Sequence, residues 1–225
     1  MADGDIVIVF DPAEQEPARS QGVLSQLVAP RPIAMISTAD ADGVTNVAPF
    51  SYYMPITGRP MLVAVSMGLR ESDGQPKHTF ENATRCGDFV INVTTSSFRD
   101  HIETAAIEFP RGTSELDAVG WTTVPSVKVS SPSIAESPAH LECRIHRVIP
   151  LGGDDVPFSE VNLVVGEVVC VVLDESISTP DYRIDVRALG LIGRLGFPWF
   201  TATGESMFEL PRQTYVEYQQ QEISG

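Results

Sequence analysis

The sequence predicts a mainly β protein, a β-barrel with peripheral helices, and three observations lead there. Six or seven runs rich in Val, Ile and aromatic residues are bounded by Gly, Pro, Asn and Asp clusters. Only two short segments carry a helical apolar spacing, whereas a parallel βαβ sheet needs a helix between most strands. No GxGxxG opens a helix after a strand, so a Rossmann nucleotide site is unsupported. The 225 residues show no repeat and no linker and read as one domain over 1–225.

Taken in order, residues 1–29 are polar and Pro-rich and read as an N-terminal arm. Ile33–Asp40 is the first strand, ended by Asp40-Ala41-Asp42-Gly43, a turn cluster that points to a hairpin. Val44–Pro49 returns from it. Pro49 has no N–H for a ladder, which puts this segment at a sheet edge or a strand break. Met61–Ser66 is the third strand, and a polar loop then runs to Thr79. A short helix over Phe80–Arg85 follows, with Pro76 suited to its first turn and Cys86-Gly87 closing it. Asp88–Thr94 is a strand, and Phe98–Phe109 a second helix with Ile102, Ala106 and Phe109 on one face. Ser126–Pro138 is Ser/Pro-rich and extended, and two long strands follow, Ala139–Ile149 and Val161–Asp174, joined by a Gly/Asp-rich loop. Short strand and turn signals continue through Gly193, Gly196 and Gly204 to a polar tail at 211–225.

Composition removes several function classes. Asp and Glu number 30 against 15 Lys and Arg, a net charge of −15, which argues against nucleic-acid binding through phosphate neutralisation. An anionic small ligand stays open if a few cations converge in a cleft. No apolar run is long enough to span a membrane, and the N-terminus lacks the basic start of a secretion signal. Cys86, Cys143 and Cys170 form no CxxC pair, and the four His residues form no metal-binding spacing. No metal site and a reducing cytoplasm are the expectation.

Three stretches could carry chemistry. The loop Ser66–Thr79 collects Ser66, Arg70, Ser72, Lys77 and Thr79 and ends at a helix start, the donor set a phosphate monoester needs. By composition alone, a solvated loop capping a helix is the better account of it. Asn46-Val47-Ala48-Pro49-Phe50-Ser51-Tyr52-Tyr53 mixes an amide, a proline, a hydroxyl and aromatics with small residues, which suits close backbone approach to a planar heterocycle with a polar edge. Taken by itself, an ordinary edge strand broken by Pro49 is the better account of it. Around Gly193–Phe200, Arg194 and Trp199 could cover a planar ligand, whereas Trp199 and Phe200 packing a core or a dimer interface is the more common role of such aromatics. His101 and His140 are isolated and read as non-catalytic.

Taken together, RPIAMISTADADGVTNVAPFSYYMPI, MLVAVSMG, KHTFENATRCGDFVINVT, SPAHLECRI, VVGEVV and GRLG resemble the flavin-reductase-like, FMN-binding split-barrel family. Its flavoredoxin and nitrilotriacetate-monooxygenase-component branch is the most similar. The likeness runs from about Pro30 to Leu210, with the motifs in the family's order. It implies a split-barrel homodimer with FMN, or alternatively FAD, near the subunit interface, and NADH or NADPH as reductant. Asn46, Val47, Ala48, Pro49, Phe50 and Ser51 would line the ring and ribityl chain; Ser66, Arg70, Lys77 and Thr79 would surround the phosphate; Arg194 and Trp199 would sit near the flavin mouth. The activity implied is NAD(P)H-dependent flavin reduction, with an electron-transfer flavoprotein reduced by a protein partner, or a non-catalytic flavin-binding module, as the alternatives. Hydride transfer requires no side-chain acid or base, so no catalytic residue is expected. A monooxygenase or another electron acceptor would be the partner. Two departures stand out. Val161 and Asn162 occupy the region where many oxygenase-partnered members carry a His, and Phe197-Pro198 replaces a Gly-Gly after the RLG element.

Overall fold

The computed structural model describes residues 8–151, 161–204, 206–210 and 212. In chain order these form α1 (Pro17–Leu27), β1 (Arg31–Pro32), β2 (Ala34–Ala39), β3 (Thr45–Phe50), β4 (Tyr53–Gly58), β5 (Met61–Met67), α2 (His78–Cys86) and β6 (Asp88–Val93). After them come α3 (Glu115–Val119), β7 (Thr123–Val124), β8 (Ser133–Ile134), β9 (Ala139–Leu151), β10 (Val161–Leu173), α4 (Val186–Leu189), β11 (Ile192–Gly196) and β12 (Trp199–Ala202). The chain is mainly β, as the periodicity predicts.

The principal sheet has seven strands in the order β3-β2-β6-β9-β10-β5-β4, with every pairing antiparallel. Its outermost strands, β3 and β4, are consecutive in the chain and separated only by Ser51 and Tyr52. The sheet therefore has to curl until its two edges meet at that junction, which makes it a barrel split between β3 and β4. Pro49 lies on the edge strand β3, opposite Met35, where its missing N–H costs no ladder bond with an outer neighbour.

Two cores hold this sheet. Ala34, Ile36, Phe50, Val63, Val65, Met67, Phe89, Ile91, Cys143 and Val164 fill the barrel. Met35, Val47, Phe98, Ile102, Trp121 and Ile134 form a second layer outside β2 and β3. Strand β2 is thus buried on both faces, which is why it opens on the unbroken apolar run Ala34-Met35-Ile36 and why Ser37 and Thr38 are buried as well. Within the barrel Gly166 meets the Phe89 ring: a Cβ there would stand 2.6 Å from Cζ, so only glycine permits this approach.

The hairpin expected at Asp40–Gly43 is present, and the Asp40 carboxylate fixes it by accepting the N–H groups of Asp42 (2.9 Å) and Val44 (2.8 Å). Other expectations need correction. The N-terminal arm contains the eleven-residue helix α1, which packs on β11 so closely that a Cβ on Gly196 would lie 2.7 Å from Gln26 Cγ. The segment after Phe50 forms the hairpin β4–β5. The helix predicted over Phe98–Phe109 is a 3₁₀ turn, Ser96–His101, followed by irregular turns. Its apolar residues pack Phe98, Ile102 and Ala105 into the outer core without needing an α-helical ladder. The loop 152–160 and the tail 211–225, Arg212 excepted, lie outside the described residues. No helix among the described residues is long and apolar enough to cross a membrane.

Candidate functional site

At the β3–β4 junction the split in the barrel opens into a cleft of about 480 Å³. Its floor is the end of β3 with Pro49, Phe50 and Ser51; Ser66 and Gly68 form one wall; Ile102 and Ala106 form another; α1, Arg31, Arg194 and Phe197 close the outer end. Cofactor clefts occupy roughly 300–1,000 Å³, so the size suits a flavin-sized ligand. Among the described residues, the charged groups of the lining are Arg31, Lys77 and Arg194 against a single carboxylate, Glu103. In a chain of net charge −15 this is a local reversal of sign, which favours an anionic ligand.

Lys77 and Ala106 also line a smaller pocket with Asn46, Ala48, Arg70, Thr79 and Glu108, so the two spaces share a boundary. Here the N-terminus of α2 meets β3: Asn46 Nδ2 donates to Thr79 Oγ1 at 2.9 Å, across the thirty-three positions that separate them. The structure thereby gathers Asn46, Ala48, Pro49, Phe50, Ser51, Ser66, Arg70, Lys77, Thr79 and Arg194 along one continuous groove.

Both loop cations already have carboxylate neighbours. Arg70 binds Asp73 through Nε (3.0 Å) and Nη2 (2.8 Å) and also donates to the Pro76 carbonyl (3.0 Å), so it staples the loop. The Arg70 hydrogen bond, helped by the Gln75 N–H, holds the Asp73 carboxyl at about 2. Lys77 Nζ lies 3.1 Å from Glu108 Oε1, and Glu108 accepts the N–H groups of Glu71 (2.9 Å) and Ser72 (3.0 Å). Burial pushes the Glu108 carboxyl up, but the Ser72 hydroxyl, the two N–H groups and Lys77 outweigh it and hold it at about 2.

Two expected site residues stand apart. The Val47 side chain is fully buried in the outer core, and its N–H donates to Glu115 Oε2 at 2.8 Å. Trp199 is 70 % exposed at the start of β12, opposite Gly196, and lines neither pocket. The two-residue turn of the β11–β12 hairpin puts Phe197, not Trp199, at the cleft mouth. Arg194 is stacked 4.3 Å from the Phe200 ring centroid and paired with Glu103.

Sequence reasoning passed over Arg31, Glu103 and Glu108. Only Arg31 left a local signal, as the single charge in the apolar run Val28–Ile36. It is 8 % exposed, donates to Ser51 Oγ at 3.4 Å and to the carbonyls of Val28 (3.0 Å) and Ser25, and lies 5.5 Å from the Tyr52 ring centroid. His140 is buried against Asn92 Oδ1 (3.0 Å), away from the cleft, and burial lowers its pKa.

Three comparisons bear on this site. Residues 27–190 match the model of the Flavin reductase like domain. An uncharacterized protein of Halalkalibacterium halodurans is 38 % identical over 83 % of this chain and 88 % of its own length. Nitrilotriacetate monooxygenase component B from Bacillus cereus superposes with a TM-score of 0.84 at 30 % identity, covering 92 % of this chain and all of that one. Flavoredoxin of Desulfovibrio vulgaris shares the fold, with a TM-score of 0.67 at 22 % identity over 81 % of this chain and 91 % of its own.

Proposed function

Since the chain belongs to the Flavin reductase like domain family, we propose that its cleft binds FMN and that the protein is an oxidoreductase using NADH or NADPH as hydride donor. The observation that carries this reading is the local reversal of charge: three cations and one carboxylate line a cleft of cofactor size in a strongly acidic chain. When bound, the flavin supplies a ring that accepts a hydride and passes electrons onward.

The chain's own residues bind and orient. Lys77 and Thr79, at the start of α2, are the phosphate end, where charge-assisted hydrogen bonds and the helix dipole act together. Asn46 tethers that end to β3 through Thr79. Pro49, Phe50 and Ser51 offer a small, half-apolar floor for a planar ring. Phe197 narrows the mouth by which a nicotinamide would approach, while Ile102 and Ala106 exclude water from the inner wall. No general acid or base is needed, in keeping with the cleft's cation-rich lining.

The functional molecule is a homodimer in this reading. Supporting it is an apolar groove of about 1,020 Å³ beside the end of β10, lined by Val93, Leu141, Val171, Leu173, Tyr182 and Ile184. An electron-transfer flavoprotein that keeps its FMN and is reduced by a protein partner is the second reading, favoured by the protruding Phe197 at the mouth. Anaerobic addition of NADH, then NADPH, to the FMN-loaded protein separates the two. Bleaching of the visible flavin band by either nucleotide supports the reductase; no bleaching by both, with bleaching by dithionite, supports electron transfer.

A further inference from the structure

Arg31 is a cation of the cleft to which the proposed function gives no task. Arg194 is paired with Glu103 and Lys77 with Glu108, whereas among the described residues no carboxylate lies within ion-pair distance of Arg31. Arg31 is nonetheless only 8 % exposed as a residue. A guanidinium carries five N–H donors. Nε is directed to Ser51 Oγ, and Nη1 serves the Ser25 and Val28 carbonyls at the end of α1. Both hydrogens on Nη2 lack a partner among the described residues, although Arg31 lines the cleft. Burying an unpaired charge is costly, and a fork left with open donors is shaped for a planar anion with two acceptors.

We propose that Arg31 is the charge partner of the reduced, anionic flavin ring, so that the cleft binds reduced FMN more tightly than oxidised FMN. The inference rests on the flavin reading above. Lys77, with Arg70 and Thr79 beyond it, marks the phosphate end, and Arg31 lies at the other end beside Ser51. Two-electron reduction of the ring with uptake of one proton leaves one negative charge delocalised over its pyrimidine edge. A guanidinium held by two carbonyls and a hydroxyl meets that charge without reorganising. Arg31 also caps the C-terminus of α1, a structural role that would affect both redox forms of the ligand equally. The two roles therefore predict different outcomes: loss of a cap weakens oxidised and reduced FMN alike and leaves the potential unchanged, whereas loss of the charge partner weakens reduced FMN selectively.

The test is the midpoint potential of bound FMN, equilibrated anaerobically against a reference dye with dithionite as reductant, in the wild type, Arg31→Gln and Arg31→Lys. Arg31→Gln should weaken reduced FMN about tenfold or more relative to oxidised FMN. The potential should then fall by about 30 mV for each tenfold, the conversion for a two-electron couple. Arg31→Lys, which keeps the charge, should fall less. Equal potentials in all three proteins overturn the proposal. If Arg31→Gln does not fold, the wild type decides alone, because a bound potential below that of free FMN overturns it as well. Benzoate serves as a carboxylate probe: an Arg31-dependent change in the oxidised flavin spectrum, with no change in potential, would assign Arg31 to a carboxylate substrate instead. A wild type that takes up no FMN ends the flavin reading itself, an outcome distinct from the others.

Discussion

Glu115 is pulled in two directions. Burial pushes its carboxyl up to about 7, against the opposing pull of the Val47 N–H that it accepts. A folded pKa above the unfolded value means that this group's contribution to stability is full below about pH 4.5 and is lost as pH rises through about 7. Glu115→Gln keeps an acceptor for Val47 but cannot ionise. Denaturant unfolding should show this variant gaining on the wild type between pH 5 and 8, by up to about 3 kcal/mol; parallel pH profiles would contradict the shift. Lys77 and Glu108 make an opposing pair. Lys77→Ala should weaken FMN binding about tenfold or more, because charge-assisted bonds to phosphate are worth roughly 1.5–3 kcal/mol. Glu108→Gln, by removing a negative charge from the phosphate end, should tighten it. Flavin-fluorescence titration measures both, and weaker binding by Glu108→Gln would show that its main task is to hold Lys77 in place. Lys77, Thr79 and Asn46 could be singled out in the sequence because each sits in a short segment with its own chemistry, although their meeting through the Asn46–Thr79 hydrogen bond could not. Glu115 and Glu108 were not, because they act across 68 and 31 positions, on Val47 and Lys77, and no local pattern announces a partner that distant.

At the scale of elements, the strands with strong apolar runs were legible, and β4 and α1 were not. β2, β5, β6, β9 and β10 are buried on one or both faces, so their hydrophobicity is dictated by the core. β4 is an exposed edge strand with Pro55 within it, and its pattern reads as loop. α1 has no fully buried residue and begins at Pro17 in a polar stretch, so its helical period is weak; packing on β11 stabilises it. The meeting of β10 with β6 gives a direct test. Gly166→Ala would drive a methyl group into Phe89, whose ring is fully buried and also faces Cys143, and should cost about 1–3 kcal/mol. Thermal and urea unfolding check this, and an unchanged midpoint would mean that β10 can shift away from the ring. Asp88, at the head of β6, accepts Ser130 N–H (2.8 Å), Ser131 N–H (3.0 Å) and the Ser130 hydroxyl (2.8 Å), and so pins the 126–131 segment to the barrel. Burial opposes the charge on Asp88, yet these donors lower its pKa.

For the whole molecule, a single topological fact organises the site: the outermost strands of one sheet are neighbours in the chain, and the cleft lies where they meet. The cleft lining comes from α1, β1, β3, the Ser51-Tyr52 link, β5, Gly68 and Lys77 of the loop after it, the 102–106 segment and the β11–β12 hairpin, which explains why the sequence shows its parts but not their assembly. The apolar groove beside β10 belongs to the same scale. Light scattering after gel filtration should give twice the chain mass, and Val171→Asp, which puts a charge in that groove, should halve it; a monomeric wild type would remove the dimer from the account. The central claim is that the cation-lined cleft holds flavin mononucleotide by its phosphate as well as its ring. An equilibrium titration of the purified protein with FMN and with riboflavin, in parallel with Lys77→Ala, tests it most directly. The account predicts saturable binding with a clear preference for FMN that Lys77→Ala largely removes. Equal binding of the two flavins, or no binding of either, would contradict it.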